Sequence, residues 1–372
     1  MSTEYEIVQY SPEHKTQILE LVTHLLGPDT ALNRSHFEWK YETNPYIESP
    51  LFYLALSKGK VVGMRGMYGS KWEFGRPSQT ICLPCACGLV FDPDHRNKGL
   101  FTKIMAYAYR DLSEKGYPYI FNLSAGPVTR LASLASGWRS AGDLRKMFWK
   151  PTPWMIRLRR MKRFVFSLFS QEQAKPFDHL DRRAACISGT SELQVSRNLR
   201  AKEMAGLMEK IGCDARIHHA RDEEYFLWRF GNPLSEYRFL YWGKSELQGY
   251  IALQSSVRKR PAKLPAVTFV DWGASNDETL KNLLAEALVM GNFHTVSVWS
   301  SMLLEETQAF LKKLGFQYVR STGKLDQKLK VPSPLVRAIG RNLSDPPEWK
   351  FGDCDLMDPH HWNVRMIDSD AY

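Results

Sequence analysis

The alternation of apolar and polar positions divides the chain into short strands and amphipathic helices. Residues 11–26 place Ile18, Leu21, Val22 and Leu25 on one helical face, with Ser11 as N-cap, Pro12 in the first turn and Gly27-Pro28 as the stop. Two apolar runs, Leu51–Ser57 and Lys60–Tyr68, flank Lys58-Gly59 and predict a hairpin. Cys85–Phe91, within a strand Ile81–Phe91, is uncharged and of strand length. Beyond it Leu100, Ile104 and Ala108, joined by Phe101, Met105 and Leu112, predict a helix from near Gly99 to Gly116. A strand over Tyr119–Ser124 and a helix over Val128–Ser136, closed by Gly137-Trp138, complete a mixed α/β unit.

The same pattern returns later in the chain. Phe37-x-Trp39-x-Tyr41-x-x-Asn44-Pro45 is echoed by Phe226-x-Trp228-x-Phe230-Gly-Asn232-Pro233. Arg238–Gln254 then predicts two strands around Gly243-Lys244, Ala266–Ala274 a third strand, and Glu278–Gly291 a helix. The strand Thr295–Ser300 and the helix Thr307–Leu314, ending in Gly315-Phe316, follow in the same order. The fold class expected is α/β, two tandem units each with a mixed, mostly antiparallel sheet flanked by helices. The units occupy 1–149 and 201–330, with a connector over 150–200 and a tail over 331–372 that packs back. In the connector, Trp154, Leu158, Met161, Val165 and Leu168 share a helical face while Arg157, Arg159, Arg160, Lys162 and Arg163 ring the rest. That face packs on the first unit or, in a second reading, makes peripheral contact with an anionic membrane through residues 154–169.

The stretch with the most chemistry in it is the hinge Asp94-His-Arg-Asn-Lys-Gly-Leu-Phe101 between the Cys85 strand and its helix. A helix start offers unpaired backbone N–H groups and a partial positive charge, and cations there are unfavourable unless an anion is bound. Glycine lets the backbone approach that anion. The hinge therefore reads as a phosphate cradle built from the N–H groups of Asn97, Lys98, Gly99 and Leu100, with the side chains of Arg96 and Lys98. At the second hinge, Ser275-Asn-Asp-Glu-Thr-Leu280, no arginine, lysine or glycine is present, and the acids Asp277 and Glu278 repel a phosphate. The second unit is expected to keep the scaffold without the ligand.

Arg96-x-x-Gly99-x-Phe101 after an apolar strand resembles the acyl-CoA signature of the GNAT (GCN5-related) N-acetyltransferases, Arg/Gln-x-x-Gly-x-Gly/Ala. The tandem arrangement resembles their double-GNAT layout, with a degenerate second copy. This resemblance implies acetyl-CoA as co-substrate, with the pyrophosphate at Arg96–Phe101 and the pantetheine bonded along Leu89, Val90 and Phe91. It places Asn122 and Ser124 on the thioester side of the cleft. Two departures stand out: Phe101 replaces a small residue, and Ser133 takes the position of the family's tyrosine acid. The family's glutamate is also missing from the strand before the hinge. Candidates for the base are Glu73, Asp92, and Asp271 in the otherwise apolar Val267–Trp272.

Composition narrows these possibilities. A chain of 372 residues with 44% hydrophobic side chains is long enough for two cores, and a formal charge of +10 favours anionic partners. No run of eighteen apolar residues predicts a membrane span, the N-terminus has no apolar signal core, and six cysteines without framework spacing fit a reducing cytoplasm. Cys82, Cys85 and Cys87 read as core thiols, the histidine pairs 218–219 and 360–361 point apart, and no metal is expected. No nucleic-acid-binding motif accompanies the charge, so no nucleic acid is expected. The function anticipated is acetyl-CoA-dependent N-acylation of a small amine, such as an amino sugar or sugar nucleotide of surface-polysaccharide metabolism. The alternatives are an aminoacyl transferase acting on peptidoglycan precursors or lipids, and a non-catalytic acyl-CoA sensor.

Overall fold

The computed structural model describes residues 5–151, 176–187, 192–212, 214–257, 266–318, 333–339 and 348–369. The basic stretch 154–169 lies outside them. The first strand, β1 (Tyr5–Gln9), leads into α1 (Lys15–Leu26) and α2 (Thr30–Phe37). The α1 pattern buries Ile18, Leu19, Leu21 and Val22, while Leu25, expected on that face, is half exposed near the helix end. The predicted hairpin is β2 (Leu51–Ser57) and β3, which continues past Tyr68 to give Lys60–Phe74. Lys58 and Gly59, with φ of 51° and 75°, make its turn. β4 (Gln79–Phe91) returns antiparallel to β3.

α3 (Leu100–Glu114) covers one face of this sheet with Leu100, Ile104, Met105, Ala108 and Leu112, each large side chain contributing about 1.5–3 kcal/mol by burial. β5 (Tyr119–Asn122) and α4 (Pro127–Ala135) follow, then β6 (Arg139–Ser140) and β7 (Lys146–Trp149). The second half brings α5 (Asp178–Ile187), β8 (Leu193–Ser196), α6 (Ala201–Ile211), β9 (His218–His219) and α7 (Glu223–Arg229). After these come β10 (Ser235–Trp242), β11 (Gly249–Ser256), β12 (Val267–Ala274), α8 (Asp277–Gly291), β13 (Val296–Trp299), α9 (Glu305–Lys313) and β14 (Gln317–Tyr318).

The strands β2-β3-β4-β5 pair antiparallel, antiparallel and parallel, and β10-β11-β12-β13 pair in the same sequence. Each sheet also holds a strand from the opposite half of the chain. The first runs β1-β2-β3-β4-β5-β15-β6, where β15 is Leu335–Ala338, and the second runs β14-β7-β13-β12-β11-β10-β8. The sheets therefore do not divide at residues 149 and 331. β7 leaves the first half to pair with β13 and β14, and β15 comes back to lie between β5 and β6. The reason is edge satisfaction: β5 and β13 each need a partner on the side away from β4 or β12.

The two units meet through an apolar cluster that joins Trp39, Tyr41 and Tyr68 to Trp228, Trp299 and the segment Trp362–Ile367. The last described turn, Met366–Asp368, is fully buried.

Candidate active site

β4 and β5 run parallel with one register pair, Cys85 with Phe121, and no ladder pair beyond it. Toward the hinge they part. The cause lies in β4, where Gly88 and Leu89 together face the single residue Arg65 of β3. This bulge needs a left-handed residue, and Gly88 has φ of 55°. A bulge bends its strand, and Leu89, Val90 and Phe91 run on toward the hinge without a register partner on β5. Asn122 and Ser124 lie at the end of β5. Asn122 is buried and its Oδ1 accepts from the Ser124 N–H at 3.0 Å, which shapes the strand end.

The hinge joins the end of β4 to α3. Asp92 accepts from the Asp94 N–H at 2.9 Å, and Tyr5 bonds His95 Nδ1 at 3.0 Å, tying the turn to β1. Asn97 and Gly99 both lie in the left-handed region, at 59° and 72°. Gly99 is the N-cap of α3 and offers no side-chain cap; the first helical bond runs from Lys103 N–H to Gly99 O. Helix geometry thus leaves the N–H groups of Leu100, Phe101 and Thr102 without an intrahelical acceptor. A Cβ at Gly99 would meet nothing within 4 Å, so the space above the helix start is open. The N–H groups left free by the helix start are thus those of Leu100, Phe101 and Thr102, the last two beyond the stretch Asn97–Leu100 singled out in the sequence. Arg96 Nε donates to Phe91 O at 3.4 Å and Lys98 Nζ to Asp94 O at 2.8 Å, holding both cations over the turn. Phe101 is half-buried and packs against the core that α3 covers.

The second hinge is built differently. Asn276 accepts from the Thr279 N–H at 2.8 Å, and Asp277 bonds Thr307 and Lys281. The helix start is capped by its own side chains. β12 keeps a bulge, with Val270 as the extra residue, and leaves β13 after Thr268. There the carbonyl of Trp272, two positions past the extra residue, accepts from Arg365 of the C-terminal segment.

Of the proposed acid and bases, the structure leaves Asp92 at the first hinge and places Asp271, Glu73 and Ser133 elsewhere. Asp271 is completely buried. Its carboxylate accepts from Arg365 at 2.8 Å, Arg221 at 3.2 Å and Tyr250 at 2.8 Å, leaving no surface to an amine. Arg221 also pairs with Asp368 at 3.2 Å, so Asp271 belongs to an ion network between the units. Glu73 pairs with Thr80 and accepts from Ser78; Thr80 lies five residues before Cys85, roughly 17 Å at about 3.3 Å per residue. Ser133 is fully buried, and its Oγ has no hydrogen-bond partner, so it shows no surface to a ligand. Cys85 and Cys87 are buried as expected, whereas Cys82, on the opposite strand phase, is exposed. Among the described residues, no group of three or more His, Cys, Asp or Glu side chains is arranged to hold a metal ion, and no helix is long and apolar enough to cross a membrane.

The family model for the acetyltransferase (GNAT) domain matches residues 10–129, which contain β4, the hinge, α3 and β5. No curated protein matches the sequence at a significant level. Among solved structures, the chain is similar to a GCN5-related N-acetyltransferase from Anabaena variabilis, at 13% identity over 91% of this chain and 73% of that one, with a TM-score of 0.56. It is similar to Eis1 from Mycobacterium abscessus, at 11% identity over 90% and 74% of the two chains, with a TM-score of 0.50. A conserved protein of unknown function from Enterococcus faecalis, a probable N-acyltransferase, gives 12% identity, 91% and 73% coverage, and a TM-score of 0.54. At these identities the likeness is one of fold. With its hinge, parted strands and α3 inside residues 10–129, the chain carries a GNAT acetyltransferase domain and is an acyltransferase of the GNAT type.

Proposed function

We propose that this acyltransferase takes an acetyl group from acetyl-CoA and transfers it to the nitrogen of a small amine, an amino sugar or sugar nucleotide. The observation that carries the reading is the uncapped start of α3, open above Gly99 and flanked by Arg96 and Lys98. The equivalent start of α8 is capped by Asn276 and bordered by acids. One helix start is left for an anion and the other is not.

Acetyl-CoA supplies an activated thioester. In this reading the N–H groups of Gly99, Leu100, Phe101 and Thr102 hold its pyrophosphate, and the guanidinium of Arg96 and ammonium of Lys98 add charge-assisted bonds. The backbone of Leu89, Val90 and Phe91, without a β5 partner, orients the pantetheine. The carbonyl carbon then lies beside Gly88, within the buried surroundings of Cys85, Cys87 and Phe121 that exclude water. The amine attacks as its neutral form, the C–N bond forms, the C–S bond breaks, and the proton shed by the nitrogen goes to the departing CoA thiolate, with no part for Asp271 or Glu73. A formal charge of +10 favours approach of both an anionic co-substrate and a phosphorylated acceptor.

The test is thermal stabilisation by acetyl-CoA. The wild-type protein is expected to gain several degrees at saturating acetyl-CoA, and Gly99→Asp, which sets a carboxylate in the cradle, is expected to gain none. Equal stabilisation of both proteins would remove the cradle from the mechanism.

A further inference from the structure

Behind the bulge of β4, on the face of the sheet away from α3, a single phenol oxygen occupies the space that two glycines vacate. A Cβ built on Gly88 would lie 2.8 Å from Tyr41 Oη, and one on Gly66 of β3 would lie 2.9 Å from the same atom. Neither distance is tolerable for a real side chain, so glycine stands on both strands where Tyr41 reaches them. The hydroxyl bonds Cys87 Sγ at 3.2 Å. The ring behind it is fixed by Phe52, with centroids 4.3 Å apart edge to face, and by Phe37 at 5.3 Å. Met64 Cε stands 3.5 Å from the Gly88 Cβ position. Tyr41, Phe52, Met64 and Cys87 are all buried.

We infer that Tyr41 is the specificity-determining residue that closes the acyl end of the cleft and restricts the donor to a short acyl chain, acetyl rather than a medium-length one. The inference rests on the cradle reading above. If the pyrophosphate lies at Gly99–Thr102 and the pantetheine along Phe91 to Leu89, the thioester arrives at Gly88 after about 10 Å of strand. An acyl chain continuing in that direction meets the hydroxyl of Tyr41 at Gly88 and Cys87, and further along β4 the pair of Cys85 with Phe121. Lengthening the chain means displacing a ring wedged between aromatic neighbours in a close-packed core, which does not yield locally. Removing the ring opens an apolar hollow, and apolar hollows of this kind stay dry and accept apolar groups.

The experiment measures affinity of the intact protein for CoA, acetyl-CoA, butyryl-CoA and octanoyl-CoA by thermal shift and calorimetry, with no acceptor present. The wild type is expected to bind acetyl-CoA more tightly than octanoyl-CoA by at least tenfold. In Tyr41→Leu, which keeps the site apolar and partly filled, and in Tyr41→Ala, the order is expected to invert, with roughly tenfold gained for every two methylenes that enter the hollow. The wild-type series decides even if a variant folds poorly: equal affinity for acetyl-CoA and octanoyl-CoA overturns the role of Tyr41. An inverted order already in the wild type does the same. Failure to bind CoA itself overturns the cradle reading, and the inference with it.

Discussion

Trp39 and Trp228 hold each other by reciprocal hydrogen bonds: Trp39 Nε1 donates to the Trp228 carbonyl at 2.6 Å, and Trp228 Nε1 donates to the Trp39 carbonyl at 3.0 Å. Their rings stack with centroids 5.4 Å apart and planes 15° apart. These are the central residues of the two Phe-x-Trp segments, so the matching motifs meet face to face where the units join. Each indole satisfies the backbone of the other, which explains why both segments keep a tryptophan although one hinge lacks the cradle residues.

Replacing either tryptophan by phenylalanine removes the indole donor from a buried carbonyl, which keeps only its second donor (the Gly231 N–H at Trp228, the Thr43 hydroxyl at Trp39), and puts a smaller ring in the stack. Each single variant is expected to lose about 1–3 kcal/mol. The double variant Trp39→Phe/Trp228→Phe is expected to lose less than the sum, since the two bonds and the stack are shared. A double-mutant cycle from urea unfolding measures this; additive losses would mean that the units are joined elsewhere.

Asp271 provides a clean separation between a structural and a catalytic carboxylate. Asp271→Asn leaves Arg221 and Arg365 buried beside a neutral amide, a change expected to cost about 3–5 kcal/mol. The pH dependence of acyl transfer by the protein that remains folded is expected to match that of the wild type. A shift or loss of the acid limb in that profile would restore Asp271 as the base.

In the proposed mechanism no carboxylate takes the proton of the amine, so the neutral fraction of the amine governs the rate. The acyl-transfer kcat/KM is expected to rise about tenfold per pH unit up to the amine's own pKa, and to move with that pKa when the amine is changed. Rate profiles for two amines of different basicity test this; one common inflection for both would indicate a protein base.

Acid sensitivity of the fold has a specific origin. His219 is buried against Trp72, with ring centroids 4.1 Å apart, and neither ring nitrogen has a hydrogen-bond partner. Burial pushes it down from 6.5 to about 3. Because the unfolded chain binds a proton at higher pH than the folded one, the stability tied to neutral His219 is complete above about 6.5 and is lost as pH falls toward 3. For Asp368, burial acts upward, but Arg221, His219 and the Tyr225 hydroxyl outweigh it and hold the carboxyl well below the carboxylate range. Its contribution is present above the ordinary aspartate value and lost below it, so the two add on the acid side. Urea midpoints are expected to fall steadily from pH 6.5 to 4 in the wild type. In His219→Phe that decline is expected to flatten, leaving the Asp368 loss below about 4.

The period of the apolar residues was enough to place β2, β4, α3 and β12 within a few residues, because each buries a face that repeats every two or every 3.6 positions. The hinge was legible for a related reason: Arg96, Lys98 and Gly99 suit a ligand better than they suit a bare helix start, and the second hinge served as an internal control. What the sequence did not contain was the choice of distant partners. β7 and β15 are short strands whose local pattern is the same whichever sheet they join, and the exchange was decided by which sheet edge needed pairing. Asp271 read as a lone acid in an apolar strand until Arg221 and Arg365 arrived from 50 and 94 residues away. Ser133 matched a family position by spacing, yet the packing of α4 sealed it. Tyr41 reaches Cys87 from 46 residues away. Periodic burial is written locally in a chain; the pairing of edges, charges and rings across it is set by what the folded core can satisfy at once.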